Sequence, residues 1–316
     1  MPNKHIAHKH VALVLGSGGA RGLAHIGAIE ALEERGYTIT SITGCSMGAI
    51  IAGMYAAGQL KEAKEWFLRV DKQLILRMMD INLLSSNSIV KGKRIIEELE
   101  KVVPDRPIES LNIPCVIVAS DMQSTEEVIF RSGSLFEAVR ASISIPLFFQ
   151  PVQIGNRLLI DGGILNPLPL HVAPRSEDDI LVAMDISGKD GMPTESIPEP
   201  IDVDGKLAEI AAKGWPIPKS IEKQLRQLSK RIDDIRFKRA QDLGKNINFF
   251  GILDRMSDMQ IQQNTILECR ITPPDVHAVM RQYAYNTFDF DKAEEIIAEG
   301  KRIMTDSLIL YERAHA

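Results

Sequence analysis

The sequence predicts an α/β fold, a three-layer α/β/α sandwich on a mainly parallel central sheet, with a helical cap and C-terminal helices added. Three observations carry this reading. Residues 11–15 are a continuous apolar run that stops at Gly16-Ser17-Gly18-Gly19, as a strand buried on both faces of a parallel sheet does. Behind it, Leu23, Ile26, Ile29 and Leu32 recur at helical spacing up to about Glu34. A short strand through Ile39 and Ile42 then meets a second glycine-marked turn, Gly44-Cys45-Ser46-Met47-Gly48, with a helix starting directly after it. Two strand-to-helix units joined by glycine-rich turns are the pattern of an α/β sandwich.

The remaining elements follow in order. Gly58 closes the second helix, and residues from about 60 to 103 read as a mainly helical insertion crowded with large apolar side chains from Trp66 to Leu84. The sheet resumes at Cys115-Val116-Ile117-Val118-Ala119, and Val128-Ile129-Phe130 reads as an antiparallel or edge partner. A helix through Leu135, Val139 and Arg140 precedes Ser142-Ile143-Ser144-Ile145-Pro146. Leu158-Leu159-Ile160 is a strand that runs straight into Asp161-Gly162-Gly163, and residues 180–184 are the next apolar strand. Residues 191–218 are proline- and glycine-rich and read as a loop. Residues 219–316 read as a mainly helical extension packed on a core of residues 11–190, with residues 1–10 as a disordered tail. Within the extension, residues 219–241 form a basic helix with heptad-like apolar spacing, a second helix spans about Phe249 to Leu267, Glu268 to Ile271 reads as a last strand, and the tail from Asp291 is helical.

Composition narrows the classes. The chain has 316 residues, a net charge of −5 and a sequence pI near 5.9, which argues against nucleic acid as a partner. Its three cysteines, Cys45, Cys115 and Cys269, are far apart and lack C-x-x-C or Cys/His spacing, so no metal site is expected and a reducing cytoplasm fits. No apolar segment precedes the first strand and no run is long enough to span a bilayer, so neither a signal peptide nor a spanning helix is expected.

The chemistry concentrates at Ser46. Gly44 and Gly48 flank it at the spacing that a nucleophile on a strained strand-to-helix elbow requires. The helix N-terminus behind it favours negative charge developing nearby. An acyl-transfer nucleophile also needs a base and donors for an oxyanion. Consecutive glycines in the first turn let backbone N–H groups converge on one cavity. Dinucleotide binding competes for that turn, but Arg21 stands where a third glycine would, and no acidic residue ends the second strand. Arg21 also fits a surface ion pair. Asp161 is the best candidate base: it ends a strand, and Gly162 and Gly163 permit an irregular turn with its carboxylate exposed. As a base it needs partial burial and a close hydrogen bond to Ser46, because an ordinary carboxylate is too weak. A turn aspartate bonded to its own backbone is the bland alternative. A triad would instead recruit His171 or His277, or less plainly His25, and Asp185 is a weaker base candidate without paired glycines.

Taken together, G-S-G-G-A-R-G, G-C-S-M-G, D-G-G and the segment A-S-I-S-I-P-L-F-F-Q-P-V, in this order, resemble the patatin-like phospholipase family over roughly Val11 to Ile186. The resemblance implies a Ser46–Asp161 dyad without a catalytic histidine or cofactor, acting on acyl esters of lipids. It implies an oxyanion hole at Gly18 and Gly19 with their neighbours Ala20 and Arg21, Arg21 assisting electrostatically or holding the loop. Cys45 departs from the small hydroxylated residue more usual in that family and is expected to pack under the elbow. The implied substrate is a phospholipid, lysophospholipid or related acyl ester. Rivals are a thioesterase or acyltransferase using the same dyad, and a non-catalytic lipid-binding regulator. Trp66–Leu84 or the basic helix 219–241 offers peripheral contact with the inner membrane surface, unless both simply pack within the domain.

Overall fold

The computed structural model describes residues 9–70, 93–146, 148–189 and 249–316. Strands and helices alternate as expected in the first half: β1 (His10–Leu15), α1 (Ala24–Glu34), β2 (Thr38–Cys45), α2 (Met47–Ala56), α3 (Leu60–Leu68) and α4 (Lys93–Glu100). Then come β3 (Cys115–Asp121), β4 (Glu127–Phe130), α5 (Leu135–Ser142), β5 (Val152–Ile154), β6 (Arg157–Asp161) and β7 (Asp179–Gly188). The chain closes with α6 (Phe249–Ile271), β8 (Val276–Arg281) and α7 (Ala293–Ala314). One compact unit takes in the chain to Lys189 together with Gln260–Ala316, and Asp190–Met259 forms a second. The loop at 191–218, the basic helix at 219–241 and most of the apolar run to Leu84 lie outside the described residues.

The eight strands among the described residues form one mixed sheet in the order β5-β6-β3-β2-β1-β7-β8, with β4 paired to β3. The β3-β2-β1-β7-β8 pairings are parallel, and β4, β5 and β6 join antiparallel. β1 is buried on both faces after His10, which is why it reads as an unbroken apolar run. Val11, Leu13 and Leu15 join the main core with residues of α1, α2, α5 and α7, while Ala12 and Val14 face a smaller cluster with Leu168, Leu170, Leu181 and Ala183. Each fully buried Leu or Ile side chain contributes about 1.5–3 kcal/mol, so the two fully buried leucines of β1, Leu13 and Leu15, anchor that strand firmly in the interior of the sheet.

The last third of the chain departs from the sequence reading. Glu268–Ile271, expected as a strand, is the final turn of α6. The last strand is β8, whose residues alternate buried and exposed from Val276 to Arg281. That is the period of a half-buried edge strand, hidden in the sequence because the apolar Val279 breaks the apolar/polar alternation and two prolines precede it. α7 lies close along α1: a Cβ on Gly27 would run into the carbonyl of Ile297, and one on Gly300 into the carbonyl of Ala24. β5, a three-residue hairpin partner of β6, also escaped the reading because so short a run carries no period. Among the described residues no helix is long and apolar enough to cross a membrane.

Candidate active site

The elbow forms as its glycines predict. Ser46 has φ 56° and ψ −120°, a left-handed conformation that costs a non-glycine residue about 1–3 kcal/mol and persists only when its surroundings enforce it. The surroundings do. A Cβ on Gly44 would strike the carbonyl of Gly48, and one on Gly48 the carbonyl of Leu15. The N–H of Ser46 donates to Ser142 Oγ at 2.8 Å, and that hydroxyl donates to the carbonyl of Val118 at 2.6 Å. Ser142 therefore ties the strained residue to the central sheet. Cys45 is buried beneath the elbow, and burial holds its thiol well above the usual range, which keeps it protonated and inert.

β3 brings Asp161 to this serine. β4 pairs with β3 over Ile117–Ser120 and occupies one of its edges. The other edge is shared: parallel β2 ends there with Cys45 opposite Val118, and antiparallel β6 ends with Asp161 opposite Ala119. Two strands running towards each other thus meet at adjacent residues of a third. Ser46 and Asp161 are the residues at that meeting point, and Ser46 Oγ donates to Asp161 Oδ2 at 2.5 Å. The second oxygen of the carboxylate accepts the Gly163 N–H at 2.8 Å, and the Asp161 N–H donates to the carbonyl of Ser144 at 3.0 Å. Asp161 is 4% exposed. Burial pushes its carboxyl up to about 6, against the pull of the hydrogen bonds from Ser46 and Gly163. The turn behind it needs Gly162, whose Cβ would otherwise meet the Val118 carbonyl and the sulfur of Cys45.

The first glycine-rich turn faces the same point. Its backbone is held by hydrogen bonds from Gly16 N to Met184 O (3.1 Å), Ser17 N to Pro167 O (2.8 Å) and Ala20 N to Thr287 O (2.9 Å). His25, fully buried, donates from Nε2 to the Gly16 carbonyl at 2.8 Å. Among the described residues, the N–H groups of Gly18 and Gly19 have no protein acceptor. Ala20, expected beside them as an oxyanion donor, has its N–H committed to Thr287 and its side chain in the core. Arg21 is 4% exposed and so lies in the interior, not at the surface. Its Nε donates to the Ile186 carbonyl and its Nη1 to that of Tyr285, both at 3.0 Å. Those bonds hold the loop against β7 and the C-terminal segment.

No histidine joins the pair among the described residues. His171 places Nδ1 2.6 Å from Glu268 and Nε2 2.7 Å from Glu127. Nε2 of His277 lies 3.3 Å from Asp185, a carboxylate that also accepts both the N–H and the hydroxyl of Ser187. The three histidines and Asp185 that a triad would have used are therefore all engaged elsewhere.

An apolar pocket opens beside Ser46. Met47, Ile50, Phe67, Val70, Leu99 and Ile143 contribute to its wall, and among the described lining residues Ser46 and Thr287 are the hydroxylated ones. Trp66, expected as a membrane contact, lines this pocket and packs edge-on against Phe67 with ring centroids 4.8 Å apart. Residues that the sequence reading missed are Ser142, whose only signal was its place in the proline-containing segment, and Thr287, Phe288 and Phe290, which lie far from every glycine motif.

Known proteins resemble this chain in sequence. Over 183 residues the chain is 43% identical to an NTE family protein of Mycobacterium tuberculosis, covering 58% of this chain and 51% of that protein. Over 187 residues it is 32% identical to patatin-like phospholipase domain-containing protein 6 of Mus musculus, covering 57% of this chain and 14% of that protein. The chain thus spans about half the length, or less, of the curated relatives it matches. A solved structure, VipD from Legionella pneumophila, aligns with 98% of this chain and 67% of its own at TM-score 0.44 and 15% identity. The model of the Patatin-like phospholipase family matches residues 13–174, which hold the glycine-rich turn, the elbow and the D-G-G turn, and the chain belongs to that family.

Proposed function

We propose that this chain is a serine acyl hydrolase that cleaves acyl esters of phospholipids, lysophospholipids or related lipids through an acyl-enzyme. The observation that carries the reading is the 2.5 Å hydrogen bond between Ser46 Oγ and a buried Asp161 carboxylate, with Ser46 lining an apolar pocket. Ser46 Oγ attacks the ester carbonyl carbon while its proton passes to Asp161. The carbonyl oxygen becomes an oxyanion, held by the N–H groups of Gly18 and Gly19 and by the positive end of α2. Collapse of the tetrahedral intermediate breaks the ester bond, and Asp161 returns the proton to the departing alcohol. Water then attacks the acyl-enzyme by the same route and releases the fatty acid. A carboxyl titrating at about 6 suits this work, because it is ionised at neutral pH yet basic enough to accept a proton in the transition state.

The apolar pocket supports a lipid acyl chain as the group recognised. The test is labelling with a serine-directed alkyl phosphonate, read by mass spectrometry, alongside fatty-acid release from lysophospholipid and phospholipid. Wild-type protein is expected to be labelled on Ser46 and to release fatty acid, and Ser46→Ala to do neither. Turnover that survives in Ser46→Ala overturns the reading. Parallel assays with acyl thioesters and with an acceptor alcohol separate hydrolysis of esters from thioesterase or acyltransferase action.

A further inference from the structure

The pocket beside Ser46 has a wall that the family-matched stretch does not supply. Thr287, Phe288 and Phe290 line it, and they sit in the turn between β8 and α7, well beyond residue 174, where the match ends. This turn is built to be rigid. Asp289, 2% exposed, accepts both the N–H and the side-chain amide of Asn286, at 3.0 and 3.1 Å, and has the Lys292 ammonium 3.5 Å away. It is also bonded directly to the glycine-rich loop through Ala20 to the Thr287 carbonyl and Arg21 to the Tyr285 carbonyl. Gly19, at φ +60°, approaches so near that a Cβ would stand 2.6 Å from the Thr287 carbonyl oxygen.

Behind the turn, α7 packs backbone to backbone on α1, the helix that leads out of the same glycine-rich loop. Loop and turn therefore share one base, from which the half-buried rings of Phe288 and Phe290 project into the pocket wall. The Phe288 ring is braced by Phe148, with centroids 5.1 Å apart and planes inclined at 55°. An acyl chain gains about fourfold in affinity for each methylene it buries. The gain ends where a well-packed wall would have to be displaced.

We propose that the Tyr285–Phe290 turn is the specificity-determining wall of the site, with Phe288 and Phe290 setting the length of acyl chain that the pocket accepts. This rests on the acyl hydrolase reading above. In the full chain, kcat/KM is measured for p-nitrophenyl butyrate, octanoate and palmitate with wild type, Phe288→Ala and Phe290→Ala. The ratio of palmitate to butyrate is expected to rise by about tenfold or more in either variant. A loss by one common factor at every chain length, or an unmoved profile, overturns the proposal. Phe288→Leu keeps most of the packing and is expected to show a smaller shift in the same direction, which decides the matter if the alanine variants do not fold. Should wild type hydrolyse none of the esters, binding of octanoate and palmitate to Ser46→Ala, with and without Phe288→Ala, is read by calorimetry. A shift towards palmitate there upholds the wall while the hydrolase reading falls. An unchanged preference overturns the wall itself.

Discussion

Ser46 and Asp161 face each other because β2 and β6 end at neighbouring residues on one edge of β3, Val118 and Ala119. The hydrogen bond between them, 2.5 Å from Oγ to Oδ2, lies where two chain ends converge on a central strand. Its geometry is thus as rigid as the sheet, and the consequences for pH and for substitution follow from burial.

Asp161→Asn keeps the shape of the side chain and an acceptor for the Gly163 N–H but removes the proposed base. Turnover is expected to fall by about 10²- to 10⁴-fold, measured as kcat at saturating ester. Wild-type kcat/KM should rise tenfold per pH unit up to about 6, where Asp161 becomes ionised, and then level off. Stability runs the other way. A carboxyl raised from its ordinary value near ~4 to about 6 favours the folded state while protonated, and that contribution is lost as pH rises through 6. Asp161→Asn should therefore gain about 3 kcal/mol relative to wild type between pH ~4 and ~8, read by urea unfolding. Equal stability differences at the two pH values would count against a buried, perturbed carboxyl.

His25 gives the opposite slope. Because a carbonyl only accepts, Nε2 carries the proton bonded to Gly16, and buried Nδ1 has no partner among the described residues. Burial therefore holds the ring down at about 4, with the bond to Gly16 and the charge of Asp185 opposing. Its stability contribution is present above pH ~6.5 and is lost as pH falls through about 4. Over much of that window the Asp161 and His25 slopes cancel, so each shows only when the other is substituted. His25→Leu should lower kcat about tenfold with KM nearly unchanged, because the loop that carries the Gly18 and Gly19 N–H groups loosens. His25→Gln, which restores a donor to Gly16, should recover most of the rate. Equal losses in both variants would mean that His25 only fills space.

Gly19→Ala places a methyl group against Thr287 at a backbone angle that disfavours any side chain. The expected result is a fall in kcat of about 10²-fold, the usual cost of disturbing one oxyanion donor, with a smaller change in KM. Steady-state kinetics on a soluble ester measure both. A change confined to KM would move Gly19 from the oxyanion to the binding surface.

His171→Ala should leave kcat/KM within a few-fold of wild type, since both ring nitrogens are occupied by Glu127 and Glu268. Burial works against the charged ring, but the hydrogen bond to Glu268 and the two carboxylates outweigh it and raise its pKa. Its contribution to stability is present below pH ~6.5 and lost as pH rises through the raised value. Melting curves of wild type and His171→Ala should thus converge as pH rises. Loss of turnover in a folded His171→Ala protein would restore the triad.

Much of the fold was legible because the informative signals are local. Parallel strands buried on both faces, such as β1 and β7, are unbroken apolar runs, and the elbow announces itself through Gly44 and Gly48. β8 was not legible. Its alternation of Val276, Ala278 and Met280 with His277, Val279 and Arg281 is brief, and it follows Pro273-Pro274. Glu268–Ile271 misled for the complementary reason: four residues carry no period, and only the length of α6 identifies them as helix. Ala20 misled because the acceptor of its N–H is a carbonyl on Thr287, far along the chain.

By itself the sequence determined the α/β class, the positions of the glycine turns, the strained serine and the aspartate that ends β6. These depend on steric rules and apolar spacing within a few residues, which a linear chain displays in full. The tertiary structure decided which carboxylate meets Ser46, that all three candidate histidines are engaged elsewhere, and that Phe288 and Phe290 wall the pocket. Those facts depend on strand register and helix packing between distant segments, and only the folded core brings such segments to one point.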